Sequence, residues 1–125
     1  FELYGMDLPT RDGTAIRDYI HVVDTAQAHI CALKHLLDGG ESRALNLGTG
    51  RGVTIQELVL AVEKATDRSI PVEPMAGRPE DPPELVVDSS LGKKILDWQP
   101  ELSNTEIIIK TALHWHTAQV KSRES

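Results

Sequence analysis

The chain has 125 residues, 40% apolar and 26% charged, which suits one globular domain and excludes a second domain, a disordered tail or a collagen-like chain. Its formal net charge of −6 opposes nonspecific binding to nucleic acid or an anionic membrane. The single Cys31 cannot close an internal disulfide, which favours a reducing, cytoplasmic setting. No apolar run reaches the length of a membrane span, and the start Phe1-Glu2-Leu3-Tyr4-Gly5, with neither initiator Met nor signal pattern, reads as an excised piece.

The opening stretch reads as an irregular approach ending in a turn at Asp12-Gly13, since Gly5, Pro9 and an Asp-Gly pair that favours positive φ punctuate it. A short strand is expected at Ala15 to Ile20. Asp24 is expected to cap a helix whose apolar stripe runs through Ala26, Ile30, Leu33 and Leu37 until Gly39-Gly40 stops it. Ala44 to Leu47 reads as a brief strand before the turn Gly48-Thr49-Gly50-Arg51-Gly52. Thr54 and Glu57 then form a capping box for a helix presenting Ile55, Leu58, Val59 and Val62.

Ile70 to Glu73 reads as an edge strand, because Pro71 cannot donate to a ladder. Pro74 to Pro83, with prolines at 74, 79, 82 and 83, reads as an ordered loop without regular structure. Leu85 to Val87 reads as a strand, and Asp88 or Ser89 as the cap of a short helix to Leu96, a unit that Trp98-Gln99-Pro100 ends. A last helix is expected from Ser103, capped with Glu106, burying Ile108, Ile109, Ala112 and Trp115. The polar tail Lys121 to Ser125 is expected to fray. These elements give an α/β class with three or four helices and short strands.

The glycine turn invites a dinucleotide reading with Glu73 as ribose acceptor, but glycines at 48, 50 and 52 give G-x-G-x-G instead of G-x-G-x-x-G. A plain strand-to-helix connection fits better. Cys31 and His35 share a helix face without a third ligand, and His114 and His116 project in different directions, so no metal site is expected. The richer constellation is Arg17-Asp18-Tyr19 with Arg78-Pro79-Glu80-Asp81. Planar guanidinium forks suit a diphosphate, and a carboxylate suits a ribose diol. Spacing alone leaves this open against surface ion pairs, Arg17 near Asp18 and Arg78 with Glu80 or Glu84.

The string Pro9-Thr10-Arg11-Asp12-Gly13-Thr14-Ala15-Ile16-Arg17-Asp18-Tyr19-Ile20-His21-Val22-Val23-Asp24 closely resembles a P-T-x-D-G-T-x-x-R-D-Y-I-H-V-x-D segment of the UDP-glucose (UDP-galactose) 4-epimerases. The likeness continues through Ala28-His29, Asn46-Leu47-Gly48-Thr49-Gly50, Arg78-Pro79, Asp81-Pro82, Asp88-Ser89-Ser90, Leu96, Trp98, Pro100 and Trp115-His116. Sister UDP-sugar epimerases and decarboxylases of the extended short-chain dehydrogenase superfamily share parts of it.

The resemblance implies the small, mixed, carboxyl-terminal UDP-sugar-binding domain of such an enzyme over residues 1–125, without its amino-terminal Rossmann domain. In that family the Rossmann domain holds NAD and supplies a Y-x-x-x-K pair. Here Tyr4 is followed four places on by Leu8 and Tyr19 by Val23, so the resemblance implies a chain inactive alone. The family oxidises the sugar's C4 hydroxyl by hydride transfer, lets the 4-keto intermediate rotate, and returns the hydride to the opposite face. It further implies Arg17 and Arg78 on the diphosphate, Asp81 on the uridine ribose, Tyr4 beside the uracil, Tyr19 lining the nucleotide pocket and Ile55 as an apolar wall. Implied partners are a UDP-sugar and the missing Rossmann domain, with a homodimeric parent, no nucleic acid and no membrane. The sequence departs from the family pattern at Gly77, Glu80 and Leu85. The rival expectation is a noncatalytic piece that self-associates through an uncovered apolar face.

Overall fold

A computed structural model describes residues 1–123, with side chains described through residue 120. The elements are β1 (Glu2–Tyr4), β2 (Ile16–Arg17), α1 (Val22–Leu37), β3 (Val53–Thr54), α2 (Ile55–Thr66), β4 (Glu73–Met75), β5 (Glu84–Leu85), α3 (Ser90–Leu96) and α4 (Thr105–Arg123). This is the expected mixed α/β class, with two small sheets. One sheet has the order β3-β2-β5, with β2 antiparallel to β3 and parallel to β5; the other pairs β1 with β4 in parallel.

The turn before β2 forms as its residues dictate. Gly13 takes φ +83°, and a Cβ there would lie 2.2 Å from the Met6 carbonyl oxygen, so only glycine fits. Asp12 then accepts from the Thr14 N–H at 2.9 Å and the Thr14 hydroxyl at 2.7 Å, while the Thr54 hydroxyl donates to its other oxygen. Thr14 and Thr54 are fully buried, so this carboxylate satisfies groups that would otherwise be left unpaired in the interior. Thr54 also caps α2: its hydroxyl accepts from the Glu57 N–H, and Glu57 accepts from the Thr54 N–H, the reciprocal box that the sequence announces.

Several expectations are corrected. The strand at Ala15 to Ile20 shrinks to Ile16–Arg17, because the Asp18 N–H makes one more bond, to Leu85 O at 3.1 Å, before the Asp18 side chain turns to another segment. The supposedly irregular start contains β1, which exists because Glu73–Met75 lies alongside it. The edge strand thus lies at Glu73–Met75 instead of Ile70 to Glu73, extends into the stretch read as a loop, and carries Pro74 on a two-stranded sheet where every strand is an edge. The strand at Leu85 to Val87 moves to Glu84–Leu85, the pair that registers with Ile16 and Arg17. Ala44 to Leu47 forms no strand, since no neighbouring strand pairs with it among the described residues.

Helix α1 is capped by His21, whose Nδ1 accepts from the Val23 N–H at 3.0 Å; Asp24 lies inside the first turn and is buried. The stripe Ala26, Ile30, Leu33, Leu37 faces outward, with Ile30, Leu33 and Leu37 at 47%, 58% and 77% exposure. The inward face carries Asp24, Ala28, Cys31 and Ala32, and the core cluster joins Ala28 to Leu96 and Trp98 with Ile20, Leu45, Leu47 and Ile95 around them. Small residues let α3 approach α1 closely, which a longer apolar stripe would prevent.

Ser89 precedes α3 without a side-chain cap, because its hydroxyl donates to Gly48 O instead; Asp88 accepts from the Ser90 N–H. The Asn104 carboxamide oxygen, not Ser103, accepts from the Glu106 N–H at the start of α4. Within α4 Ile109 is buried and Ile108 half-buried, but Ala112 is exposed and Trp115 is 58% exposed. The helix packs on α2, with Lys64 and Glu106 paired at 3.8 Å, and Ala61, Ala65, Lys110 and Leu113 line a groove between the two. α4 continues through Arg123; of the tail expected to fray, Glu124 and Ser125 lie outside the described residues.

Candidate functional site

The site is built where β2 meets the proline-rich segment. Pairing of β2 with β5 sets Arg17 beside Leu85, and the chain entering β5 supplies Pro83 O to the Ile16 N–H at 2.8 Å. Arg17 Nη1 donates to Pro82 O at 3.0 Å and to Ile16 O at 2.7 Å. The guanidinium is thereby drawn to the residue that follows Asp81. A turn closed by the Asp81 N–H on Arg78 O, 3.1 Å, places Arg78 and Asp81 at its two ends.

Arg78 is held from the other side by the β1–β4 pair. The ladder sets Tyr4 opposite Met75, and the Arg78 guanidinium carbon lies 4.1 Å from the Tyr4 ring centroid, a cation–π contact. The Tyr4 hydroxyl donates to Glu2 at 2.6 Å. Strand β2 and the Arg78–Asp81 turn therefore bring Arg17, Arg78, Asp81 and Tyr4 to neighbouring stretches of backbone. Tyr19 is half-buried two residues beyond Arg17; burial pushes its phenol up, against the opposing pull of the Arg17 charge. Half-buried Ile55 starts α2, its N–H donating to Ala15 O at 3.0 Å on the other side of β2. Glu80 and Leu85, two of the departures from the family pattern, are exposed, and Gly77 packs its Cα 3.5 Å from the Cβ position of Gly5.

The plainer reading, surface ion pairs, is not what the arginines do. Among the described residues the ion pairs are Arg11 with Glu57, Arg43 with Glu41 and Lys64 with Glu106. Neither Arg17 nor Arg78 has a carboxylate partner, and no side-chain hydrogen bond engages Asp81 among the described residues. The groove between α2 and α4, about 520 Å³, contains none of the site residues expected from sequence. Among the described residues no group of three or more His, Cys, Asp or Glu side chains is placed to hold a metal, and no helix is long and apolar enough to cross a membrane.

One contributor escaped the sequence reading. Asp18 sends its carboxylate into the glycine turn, accepting from the Thr49 N–H at 3.0 Å, the Thr49 hydroxyl at 2.6 Å and the Gly50 N–H at 2.9 Å. Burial pushes this carboxyl up, but these donors and the Val87 N–H outweigh it and hold the group below the usual carboxylate range. The turn was read as a plain strand-to-helix connection; that it holds an anion, a side chain 31 residues away, was not legible in the sequence.

Comparison with known proteins agrees with the mixed α/β fold. The NAD dependent epimerase/dehydratase family matches residues 2–48. The UDP-glucose 4-epimerase of Rhizobium leguminosarum bv. trifolii is 47% identical over 116 residues, 93% of this chain and 35% of that protein. Among solved structures, UDP-glucose 4-epimerase from Brucella ovis in complex with NAD has a TM-score of 0.84 at 47% identity, over 87% of this chain and 34% of that one. The Stenotrophomonas maltophila enzyme with bound NAD and formylated UDP-arabinopyranose reaches a TM-score of 0.91 at 36% identity, over 97% and 36%.

The class is therefore an α/β chain with homologues in the NAD dependent epimerase/dehydratase family. In particular, homologues over more than nine tenths of it are UDP-glucose 4-epimerases, and the chain spans about a third of their length. Those structures hold NAD, but the glycine turn here does not fit that group's pyrophosphate: the Thr49 and Gly50 N–H groups are already given to Asp18.

Proposed function

We propose that this chain is the carboxyl-terminal, UDP-sugar-binding portion of a longer NAD-dependent UDP-glucose 4-epimerase, acting in the cytoplasm as a homodimer. The observation that carries the reading is the pair of uncompensated guanidinium groups, Arg17 tied to Pro82 O and Arg78 stacked on Tyr4, at the two ends of one short loop segment. Uncompensated cations that are held in place are what a diphosphate needs. Arg17 commits only Nη1 to carbonyl oxygens, so Nε and Nη2 remain to donate to phosphate oxygens. Stacking on Tyr4 engages the flat face of Arg78 and leaves its in-plane N–H groups available.

Asp81 in this reading accepts from the ribose hydroxyls, Tyr4 and Tyr19 border the nucleotide, and Ile55 is an apolar wall. Grip on the unreacting diphosphate orients the hexose while leaving it free to turn, so binding energy far from C4 serves the reacting carbon. NAD and the Tyr and Lys of the hydride chemistry lie in the rest of the parent. In the full-length polypeptide carrying this sequence, Arg17→Ala or Arg78→Ala should raise the Kd for UDP roughly tenfold to a hundredfold, since a hydrogen bond to a charged group is worth about 1.5–3 kcal/mol. Calorimetry showing unchanged affinity in both variants overturns the assignment.

A second reading rests on the outward apolar face of α1: a noncatalytic piece that self-associates or docks through Ile30, Leu33 and Leu37. UDP binding by the isolated chain favours the first reading; concentration-dependent oligomers without UDP binding favour the second. A sister epimerase or decarboxylase acting on another UDP-sugar would show itself in turnover of a substrate panel.

A further inference from the structure

We infer that Asp18 is a positioning residue for Arg17, and that the glycine turn serves as an internal anion cradle whose occupant is this carboxylate. The inference rests on the reading of Arg17 as a diphosphate ligand.

Asp18 continues the extended backbone beyond Arg17, so the two side chains leave on opposite faces, and an ion pair with any carboxylate would spend the guanidinium. The Asp18 carboxylate is taken up elsewhere. Its Oδ1 accepts from the Thr49 N–H and hydroxyl, and its Oδ2 accepts from the Gly50 N–H at 2.9 Å. Gly50 adopts φ +76°, a conformation that disfavours a side chain. Gly48 is required by space: a Cβ there would lie 2.7 Å from Asp18 Oδ2 and 2.2 Å from Val87 Cγ2. The main-chain Asp18 N–H meanwhile donates to Leu85 O at 3.1 Å. One residue thus joins the end of β2, the glycine turn and the chain leaving β5, directly after Arg17. With the neighbouring anion stabilised by N–H donors, Arg17 turns to Pro82 O and keeps its remaining donors unspent.

Asp18→Asn tests this. A carboxamide presents an NH₂ to at least one of those N–H groups, so one acceptor becomes a donor facing a donor. UDP affinity is measured by calorimetry on the full-length polypeptide for the parent, Arg17→Ala, Asp18→Asn and the double variant. Asp18→Asn alone should raise the Kd about tenfold, and in the Arg17→Ala background it should add less than about twofold, because its effect passes through Arg17. Unchanged Kd in Asp18→Asn, or the same increase in both backgrounds, overturns the inference; the second result would assign Asp18 a role in general stability only. Loss of the Arg17→Ala effect itself would sink the underlying reading along with it, and is told apart because the single Arg17 variant reports it. Should Asp18→Asn fail to fold, Thr49→Val, which removes the hydroxyl donor to Asp18 together with the acceptor of the Arg51 N–H but keeps the Thr49 N–H, takes its place in the same cycle with the same criteria and a smaller shift.

Discussion

Replacing Asp24 should loosen the joint that ties the first turn of α1 to the entry of α4. Its Oδ1 accepts from the Glu101 N–H at 3.1 Å, and its Oδ2 accepts from the Leu102 N–H at 2.9 Å and the Ser103 hydroxyl at 2.5 Å. Its own carbonyl accepts from the buried Trp98 indole N–H at 3.1 Å. In Asp24→Asn the amide oxygen can keep the Leu102 and Ser103 bonds, while the NH₂ faces the Glu101 N–H; losing that one charge-assisted bond should cost about 1.5–3 kcal/mol. Asp24→Ala leaves all three donors without the carboxylate and should cost about 3–5 kcal/mol, a large part of the roughly 5–15 kcal/mol by which ordinary domains are stable.

Burial pushes the Asp24 carboxyl up, but the Ser103 hydroxyl, the Glu101 and Leu102 N–H groups and His21 together hold it below its usual range. A depressed folded-state pKa contributes stability above the unfolded-state value near 3.8, lost as pH falls through the folded value. Urea unfolding of the full-length polypeptide from neutral pH down to pH 3 should therefore show a lower midpoint in Asp24→Asn and a flatter acid limb than the parent. An unchanged midpoint at neutral pH together with an unchanged acid limb would refute the hydrogen-bond reasoning.

Two other outcomes are expected. Gly13→Ala and Gly39→Ala both force a side chain to positive φ, at about 1–2 kcal/mol, but only at Gly13 does a Cβ meet backbone, Met6 O at 2.2 Å, while Gly39 has nothing within 4 Å. Thermal unfolding should show the larger loss for Gly13→Ala, and equal losses would contradict the described turn. On the second reading the isolated 125-residue chain should self-associate through Ile30, Leu33 and Leu37, and Leu33→Lys with Leu37→Lys should reduce that association in sedimentation velocity; association unchanged by the pair would place the contact elsewhere.

Features decided within a few residues were legible in the sequence. The Thr54–Glu57 box, the positive φ of Gly13 and the end of α1 at Gly39-Gly40 follow from local backbone and side-chain chemistry, and the structure reproduces them. The motif string likewise marked the family resemblance and the residues of the arginine segment before any packing was known. Periodicity located α1 but not its buried side, for a physical reason: it identifies an apolar face without saying what covers that face. The longer side chains lie outward, and the small Ala28 and Ala32 meet α3.

What remained depended on contacts between distant segments. β1 exists only because residues about seventy positions on lie alongside it, a pairing that adds little to the local pattern of either strand. Asp24 reads as a helix cap by type and position, yet its acceptors serve a turn 77 to 79 residues away. The two arginines were visible from composition and motif, but their lack of carboxylate partners was not, because an ion pair and an open cation have the same sequence. That choice is made where Asp18 finds stronger company in the Thr49–Gly50 turn and Arg17 is left to the Pro82 carbonyl.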